Sequence, residues 1–322
     1  MHSKLVHALA AVAALTVLGS VSVALASPSA QTWQADLSTN NADSSNVINA
    51  GGVVRLGDAE AHASTDRLDD RSGIMVFDPH RLGVPANTVS AALDGSVAAD
   101  SELAVDVRGQ RADGRWTEWV ETGPAGPAVL PEATSAVQVR MTLTAPIGSA
   151  GPLVRALSLL ATTTADHRAG QMAQPQASTY RVYATREGLV GGTTSNGHVI
   201  KARDHFVALP SGKALSPNGS TMYSVRVCAD NGKCETAPVW DKGPWNTTDD
   251  YWNPSAFRQS WKDLPQGTPE AQAAFQNDYN GGEDQFGRQV ANPAGIDLAD
   301  GTFWDGLGLA DNAFVSVTYL WT

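Results

Sequence analysis

A repeated alternation of apolar and polar residues is the feature that most restricts the fold of this chain. In VQVRMTLT, residues 137–144, the two faces of a strand would carry Val137, Val139, Met141 and Leu143 on one side and Gln138, Arg140, Thr142 and Thr144 on the other. ELAVDVRGQ alternates in the same way, and Gly, Pro and Asp-Gly breaks separate such runs at short intervals. This pattern predicts an antiparallel β-sandwich over residues 30–163, with one buried face per sheet.

The first 26 residues have the pattern of an export signal. A Lys near the start is followed by an apolar run that ends in Ala24-Leu25-Ala26, which is typical of a signal-peptidase site after Ala26. A membrane anchor is the rival interpretation, but Gly19, Ser20 and Ser22 interrupt the run and no positive cluster follows it. We therefore expect a secreted protein, soluble and extracellular or wall-associated, with no membrane contact after signal cleavage.

Composition excludes some partners of the remaining chain. The formal net charge is −11 and no basic patch stands out, which argues against nucleic acid because phosphate binding needs clustered Lys and Arg. The same charge argues against simple attraction to anionic wall polymers or lipid. About 296 residues after the signal provide room for two ordinary domains. We expect a monomer that needs no cofactor.

The two cysteines of the chain stand on either side of a predicted tight turn. In VCADNGKCET, Asn231-Gly232 is a strong hairpin signal, and a hairpin centred there places Cys228 across from Cys234. In an exported protein this arrangement indicates a disulfide. A metal pair is the alternative, but it needs further soft ligands and the chain has no other Cys.

The second half of the chain is again β-rich, after a segment with almost no apolar periodicity. Residues 164–179 read as a flexible linker, and residues 180–322 as a second domain with an insertion at 246–295. Within the insertion, TPEAQAAFQNDYNGG predicts one helix. Thr268 would be its N-cap, Pro269 its first residue, and Gly281 would follow near its end.

The segment VDVRGQRADGRWTEWVE, with VQVRMTLTAP and PLVRALSLL after it, resembles the jelly-roll accessory domains of secreted actinobacterial wall hydrolases, which are galactose-binding-like. The resemblance covers about the last half of residues 30–163. It leaves two roles open for Trp116 and Trp119. The rings would either stack on sugar or pack in the core and over the sheet edge, and we favour packing because strand aromatics are normally packing residues.

A second resemblance covers about 90 of the last 143 residues. Its marks follow one another in order: Tyr-Ala-Thr at 183–185, Gly-Gly at 191–192, Leu-Pro at 209–210, Asp-x-Gly-Pro at 241–244, Ile-Asp-Leu at 296–298, and Leu-Gly before the last strand. This order resembles the six-stranded double-psi β-barrel of the rare lipoprotein A lytic transglycosylases, the expansins and the barwin-like proteins. The marks are more specific for the fold than for the function.

The resemblance implies roles for several residues of this chain. Asp241 matches the catalytic Asp of the transglycosylases, and Asp297 and Thr185 match groove residues of expansins. Two departures weaken the transfer. His198 stands where the transglycosylases have a Glu, and Gly243 stands where expansins have a Tyr.

The chemistry that such residues would perform can be stated without the family. Glycosidic cleavage needs a carboxylic acid to protonate the leaving oxygen, and in a lytic transglycosylase the muramic C6 hydroxyl attacks internally, so one carboxyl can act as acid and then as base. Asp241, with Asp297 as a second carboxylate and His198 as a proton carrier, would form the catalytic set. The alternative stays open that an Asp before Gly-Pro only accepts backbone N–H bonds and pins a turn.

The insertion is rich in aromatic and acidic residues. Its aromatics would form either a sugar-stacking wall or a satellite core, and Trp252, with Tyr251 beside it, is the best groove candidate because it lies close in sequence to Asp241. The acids Asp249, Asp250, Glu283 and Asp284 match no EF-type calcium loop, so we predict no metal site.

Three functions are consistent with these observations. The first is a cell-wall protein whose barrel groove binds peptidoglycan or a related glycan, with lytic transglycosylase activity as its enzymatic form. The second is an expansin-like protein that binds glycan without cutting it, which the missing Glu favours. The third is a secreted protease inhibitor that uses the disulfide hairpin as a wedge.

Overall fold

The computed structural model of the protein describes residues 30–57, 70–164 and 177–322. The predicted signal peptide, residues 1–26, lies outside these ranges, and so does most of the predicted linker, residues 164–179. Within the described ranges no helix is both long and apolar enough to cross a membrane. Strands dominate both halves of the described chain, which confirms the mainly-β prediction.

The N-terminal half forms an antiparallel sheet, for which the described residues provide nine strands. The strands are β1 (Gln31–Gln34), β2 (Val47–Ala50), β3 (Val53–Leu56), β4 (Asp70–Val76), β5 (His80–Ser96), β6 (Glu102–Gly109), β7 (Val120–Glu121), β8 (Ala128–Pro146) and β9 (Leu153–Thr162). Their main order is β2-β3-β9-β5-β8-β6-β7, with β1 added to β9 and β4 added to β8.

Two long strands fold this sheet into a sandwich-like form. β5 has 17 residues and β8 has 19, and their pairing shifts register between Arg81 and Thr88. Such irregularities bend a strand and increase its twist, so the sheet can close over its own apolar face. The core between the layers includes Val54, Met75, Val89, Val107, Leu130, Val137, Leu143 and Leu157.

The polar face of β8 is not open to solvent. The apolar set of the alternating segment is buried, as predicted, but Gln138, Arg140 and Thr144 on the opposite face are buried too, with 5–6% of each residue exposed. They are buried because the C-terminal half packs against this face. Arg140 donates to Asp106 Oδ2 at 2.8 Å and to the Gly212 carbonyl at 2.7 Å, across to the other half of the chain. One buried face per sheet is therefore too simple a description of β8.

The C-terminal half forms a closed, mixed, six-stranded barrel. Its strands are β10 (Thr179–Arg186), β11 (Val207–Leu209), β12 (Ser224–Ala229), β13 (Cys234–Lys242), β14 (Ala294–Leu298) and β15 (Ala313–Tyr319). They close in the order β10-β14-β11-β13-β12-β15. The pairs β10–β14 and β11–β13 are parallel and the other four are antiparallel. This topology fits the double-psi arrangement expected from the sequence.

The hairpin β12–β13 carries the predicted disulfide. Cys228 pairs directly with Cys234 in the strand register, and the two residues are joined by a disulfide bond, with their Cα atoms 4.1 Å apart. Gly232 in the turn has a φ of 85°, a left-handed conformation that Gly adopts without steric cost. The prediction of a stapled hairpin at Asn231-Gly232 is confirmed.

The insertion between β13 and β14 contains the predicted helix, α1 (Glu270–Asn277), but both ends differ in detail. Pro269 rather than Thr268 occupies the N-cap position, and its ring makes no capping hydrogen bond. The Glu270 N–H instead donates to Asp249 Oδ2 at 2.6 Å, so a carboxylate distant in sequence caps the helix. At the other end, Asp278 stops the helix in a left-handed conformation, three residues before Gly281.

The segment Thr117–Trp119 of the N-terminal half closes one end of the barrel. The Trp119 ring packs in the barrel core, and the backbone N–H of Trp119 donates to the Lys213 carbonyl at 2.9 Å. Glu118 Oε1 accepts hydrogen bonds from the indole N–H groups of Trp252 at 2.6 Å and Trp321 at 2.7 Å. Its Oε2 accepts from Asn253 at 2.7 Å. One side chain of the N-terminal half therefore satisfies three donors of the C-terminal half.

We expect Glu118→Ala to destabilise the protein by about 2–4 kcal/mol, because two indole N–H groups lose their acceptor at a mostly buried position. Urea unfolding followed by Trp fluorescence measures the change. Glu132→Ala is the matched control, since the Glu132 side chain is 45% exposed and lies 4.0 Å from its nearest partner, Arg111. Equal unfolding midpoints for the two variants would contradict this role of Glu118.

Candidate functional site

Two of the predicted site carboxylates lie on one face of the barrel, with one strand between them. Ala208 on β11 pairs with Asp297 on β14 and with Asp241 on β13. Asp297 in turn pairs with Thr185 on β10. Residues in register point to the same side of a sheet, so these four residues form a row across four strands. We call Thr185, Asp297, Ala208 and Asp241 the outer-face row.

The row lies on the outside of the barrel because its neighbours along the strands point inward. Val207, Leu209, Ile296 and Leu298 belong to the barrel core. The Cα atoms of Asp241 and Asp297 are two strand spacings apart, which corresponds to about 10 Å. The fold thus brings together two carboxylates that are 56 positions apart in the sequence.

A β-bulge decides the direction of Asp241. Val207 pairs with Val239, but the next residue, Ala208, pairs with Asp241, so Trp240 is the extra residue of β13. Without this residue Asp241 would share the inward face of Val239. A bulge that re-aims a side chain is common beside functional sites.

The carboxyl group of Asp241 is enclosed and unevenly hydrogen-bonded. Oδ1 accepts three bonds, from Ser195 N at 2.8 Å, Ser195 Oγ at 2.6 Å and Lys242 N at 2.7 Å. The residue has no exposed surface, and Oδ2 has no partner among the described residues. Burial raises the pKa of Asp241 to about 6, although the bonds from Ser195 and Lys242 act in the opposite direction.

The other end of the outer-face row is more open. The Thr185 hydroxyl donates to Asp297 Oδ1. Asp297 is 7% exposed and Thr185 is half-buried. This pair is the part of the row that a ligand at the surface would meet first.

His198 lies on the loop that covers the row, but it is paired away from Asp241. Its Nε2 lies 2.7 Å from Asp204 Oδ2, and its ring packs 4.7 Å from the Trp240 ring, measured between centroids. Ser195 from the same loop contacts Asp241 instead. The sequence analysis missed Ser195, because a small polar residue in TTSNGH gives no signal of its own.

Tyr251 and Trp252 lie in the barrel core rather than in a groove, with 0% and 1% of their surfaces exposed. The Tyr251 hydroxyl donates to the Gly295 carbonyl at 2.9 Å. The Trp252 ring stacks on Tyr319 at 5.2 Å and meets Trp321 edge-on. Neither ring has a face free for sugar, because aromatic neighbours and buried hydrogen bonds occupy the surroundings. We therefore leave both residues out of the site.

The two tryptophans of the N-terminal half pack against arginine. The Arg108 guanidinium lies 4.9 Å from the ring of Trp116 and 4.2 Å from the ring of Trp119, and Arg140 lies 4.5 Å from Trp119. Trp119 is 1% exposed. These contacts place Trp119 within the protein interior, which agrees with the packing interpretation for that residue.

Three of the four acids singled out in the insertion are paired with cations. Asp249 binds Arg258, Asp250 binds Lys213 at 2.7 Å, and Asp284 binds Arg288 at 2.6 Å. Burial raises the pKa of Asp249 to about 6, against the opposite effect of Arg258. Across the described ranges, no group of three or more His, Cys, Asp or Glu side chains is arranged to hold a metal ion.

Comparison with known proteins concerns the C-terminal half. The model of a family described as a domain of unknown function, DUF8814, matches residues 178–318. This range covers the barrel and its insertion and excludes the N-terminal sheet. No curated protein matches the chain.

We expect the stability of the protein to record the ionisation of Asp241. Its folded-state pKa of about 6 lies above the usual 3.8, so the stabilising contribution is complete below about pH 4 and is lost as the pH rises through about 6. Asp241→Asn keeps an uncharged side chain at every pH. The free energy of unfolding of the unmodified protein minus that of Asp241→Asn should therefore fall by about 3 kcal/mol between about pH 4 and about pH 7.

Urea unfolding at several pH values measures this difference. Asp311→Asn, the same substitution in an exposed loop, is the control. A difference for Asp241→Asn that stays constant with pH would show that the carboxyl ionises in the folded protein as easily as in the unfolded chain.

Proposed function

We propose that this is a secreted, cell-wall-associated protein whose barrel binds peptidoglycan or a related glycan along the outer-face row. The observation that carries the proposal is the alignment of Thr185, Asp297 and Asp241 in one row on β10, β14 and β13, with β11 between the two carboxylates. Hydroxyl and carboxylate groups at strand-to-strand spacing offer acceptors to the hydroxyls of a sugar chain. The disulfide supports an oxidising, extracytoplasmic location.

Binding without cleavage agrees best with the environment of Asp241. Three donors hold Oδ1, and the covering loop leaves no surface of the residue exposed. A carboxylate held in this way orders the loop at Ser195 and shapes the surface that a ligand contacts. The fit of the closed mixed barrel to the double-psi arrangement of the expansin and transglycosylase group supports the same class of ligand.

Lytic transglycosylase activity is the second candidate, and a specific observation favours it. Oδ2 of Asp241 has no partner among the described residues, and burial raises the pKa of Asp241 to about 6, close to the pH at which a general acid works well. In this mechanism Asp241 protonates the glycosidic oxygen and then accepts the proton of the muramic C6 hydroxyl. Asp297 stabilises the developing positive charge, and His198, which is paired with Asp204, takes no part in the proton transfer. The Ser195 loop must move aside for the glycan to reach Oδ2.

Glycan binding is tested by co-sedimentation of the protein with purified sacculi, chitin and cellulose. We expect retention on sacculi and a loss of affinity of about tenfold for the double variant Thr185→Val, Asp297→Asn, because the half-buried hydroxyl and the charged acceptor at the more open end of the row are removed together. Asp113→Asn, on an exposed turn of the N-terminal half, is the control. Retention on none of the three polymers, or equal retention of the double variant, would contradict the proposal.

Cleavage is tested separately by incubating sacculi with the protein and analysing the soluble products by mass spectrometry. The second candidate predicts anhydro-muropeptides from the unmodified protein and a decrease of about 100-fold or more for Asp241→Asn, since the acid is removed. Products released equally by Asp241→Asn, or no products from a protein that sediments with sacculi, would exclude Asp241 as the acid while leaving glycan binding in place.

A further inference from the structure

A polar cleft separates the two halves of the chain on the side of β13 away from the outer-face row. Its floor is the polar face of β6 and β8, where Asp106 pairs with Arg140 and Ala104 with Thr142. Its opposite wall comes from the barrel half and includes Lys242. The cleft has about 80 Å³ of free volume. Since a water molecule occupies about 30 Å³ in the liquid, a small polar group of several heavy atoms fits.

Most charges inside the cleft are already matched. Arg140 pairs with Asp106 at 2.8 Å, and Lys213 pairs with Asp250 at 2.7 Å. These pairs leave little net charge on the floor and on the wall beside it. A ligand would therefore be selected by Lys242 and by the charge at the mouth of the cleft.

Lys242 is the cation in the cleft that has no such partner. Among the residues that the structure describes, none forms a hydrogen bond or an ion pair with its Nζ atom, although the side chain is half-buried. Burial lowers the pKa of Lys242, and the nearby Arg140 lowers it further, against the opposite effect of Glu102. A desolvated ammonium group that forms no direct ion pair gains free energy when a carboxylate reaches it.

The mouth of the cleft has the opposite charge. Glu102 and Glu121 are exposed at its rim, and Glu121 Oε2 accepts a hydrogen bond from Gln259 at 3.0 Å. A simple anion would have to pass these carboxylates, which repel it. A ligand that carries an ammonium group next to its carboxylate avoids this repulsion, because the ammonium group stays at the rim.

We propose that this cleft binds a zwitterionic amino-acid group, with its carboxylate on Lys242 Nζ and its ammonium group at Glu121. The site lies on another face of the barrel from the outer-face row and does not depend on glycan binding. Both halves of the chain contribute to it, so an isolated barrel would lack it. Two sources offer this chemistry, free amino acids and the ends of wall peptides.

Isothermal titration calorimetry of the whole protein with glycine, acetate and methylammonium tests the class of ligand. We expect glycine to bind with a dissociation constant of roughly 1 mM, and acetate and methylammonium to bind at least about tenfold more weakly, because each lacks one of the two charges. Acetate that binds as tightly as glycine would overturn the zwitterion assignment, and so would the absence of glycine binding.

Variants test the position of the ligand. Lys242→Met keeps the length of the side chain and should weaken glycine binding by about tenfold or more, whereas Lys262→Met, at an exposed position, should not change it. Glu121→Gln, on the exposed rim, should weaken glycine binding by about threefold. This second variant tests the proposal even if Lys242→Met fails to fold. Unchanged affinity in both cleft variants would overturn the proposal.

A second titration identifies the source of the ligand. A short peptide that ends in diaminopimelate carries the same ammonium–carboxylate group on the side chain of a wall peptide. Tighter binding of this peptide than of glycine would assign the cleft to wall peptides, and tighter binding of glycine would assign it to free amino acids. Either order of affinities supports the proposal, provided that glycine binds; a protein that does not bind glycine overturns it.

Discussion

The carboxylate of Glu118 joins the two halves of this protein. It accepts from two indole N–H groups and one amide of the C-terminal half, while the neighbouring Trp119 fills the end of the barrel core. Buried polar groups are costly unless they are hydrogen-bonded, so these three donors need an acceptor at this place. The barrel, which is closed along its sides by strand pairing, is thus completed at one end by residues that belong to the other half.

The interface around this contact is unusually polar for a surface that is buried. Among the residues that the structure describes, no carboxylate forms an ion pair with Arg108. Its Nε and Nη2 donate to Gln138 Oε1 at 3.0 and 2.6 Å, and its Nη1 donates to the Tyr223 hydroxyl at 3.1 Å. The Tyr223 hydroxyl in turn donates to the Thr117 carbonyl at 2.5 Å. Burial lowers the pKa of Arg108 and raises that of Tyr223. All the hydrogen bonds of this network form only when the two halves have one relative orientation, so the network fixes that orientation. The cleft with Lys242 exists because this orientation is held.

The barrel fold brings the residues of the outer-face row together and also covers one end of the row. One extra residue in β13 turns Asp241 outward, and the loop before β11 then covers the carboxyl with Ser195. The geometry that brings two carboxylates to one face also buries both residues, with 0% of Asp241 and 7% of Asp297 exposed. The proposed glycan binding therefore needs no rearrangement of this conformation, whereas the proposed acid catalysis would need the Ser195 loop to move away from Asp241.

The local sequence pattern was sufficient to predict several structural elements. Alternation located β6 and β8, Asn231-Gly232 located the disulfide hairpin, and the Pro269 segment located α1 to within a residue of its start. The barrel was expected from a resemblance, carried by the order of short motifs along the second half of the chain. The strands, the hairpin and the helix depend on neighbours in the sequence, on turn geometry or on strand periodicity, which the chain encodes over short distances.

The environment of each site residue was decided only by the tertiary structure. Trp252 was predicted to be a groove residue because it is near Asp241 in sequence. In the structure its ring is buried in the barrel core, and its indole N–H donates to Glu118. The polar face of β8 was predicted as a solvent face because a strand pattern cannot show which other element covers it. Burial and pairing depend on residues more than a hundred positions away. The sequence by itself therefore determined the elements and the candidate carboxylates, while long-range packing decided which of them are covered, paired or open.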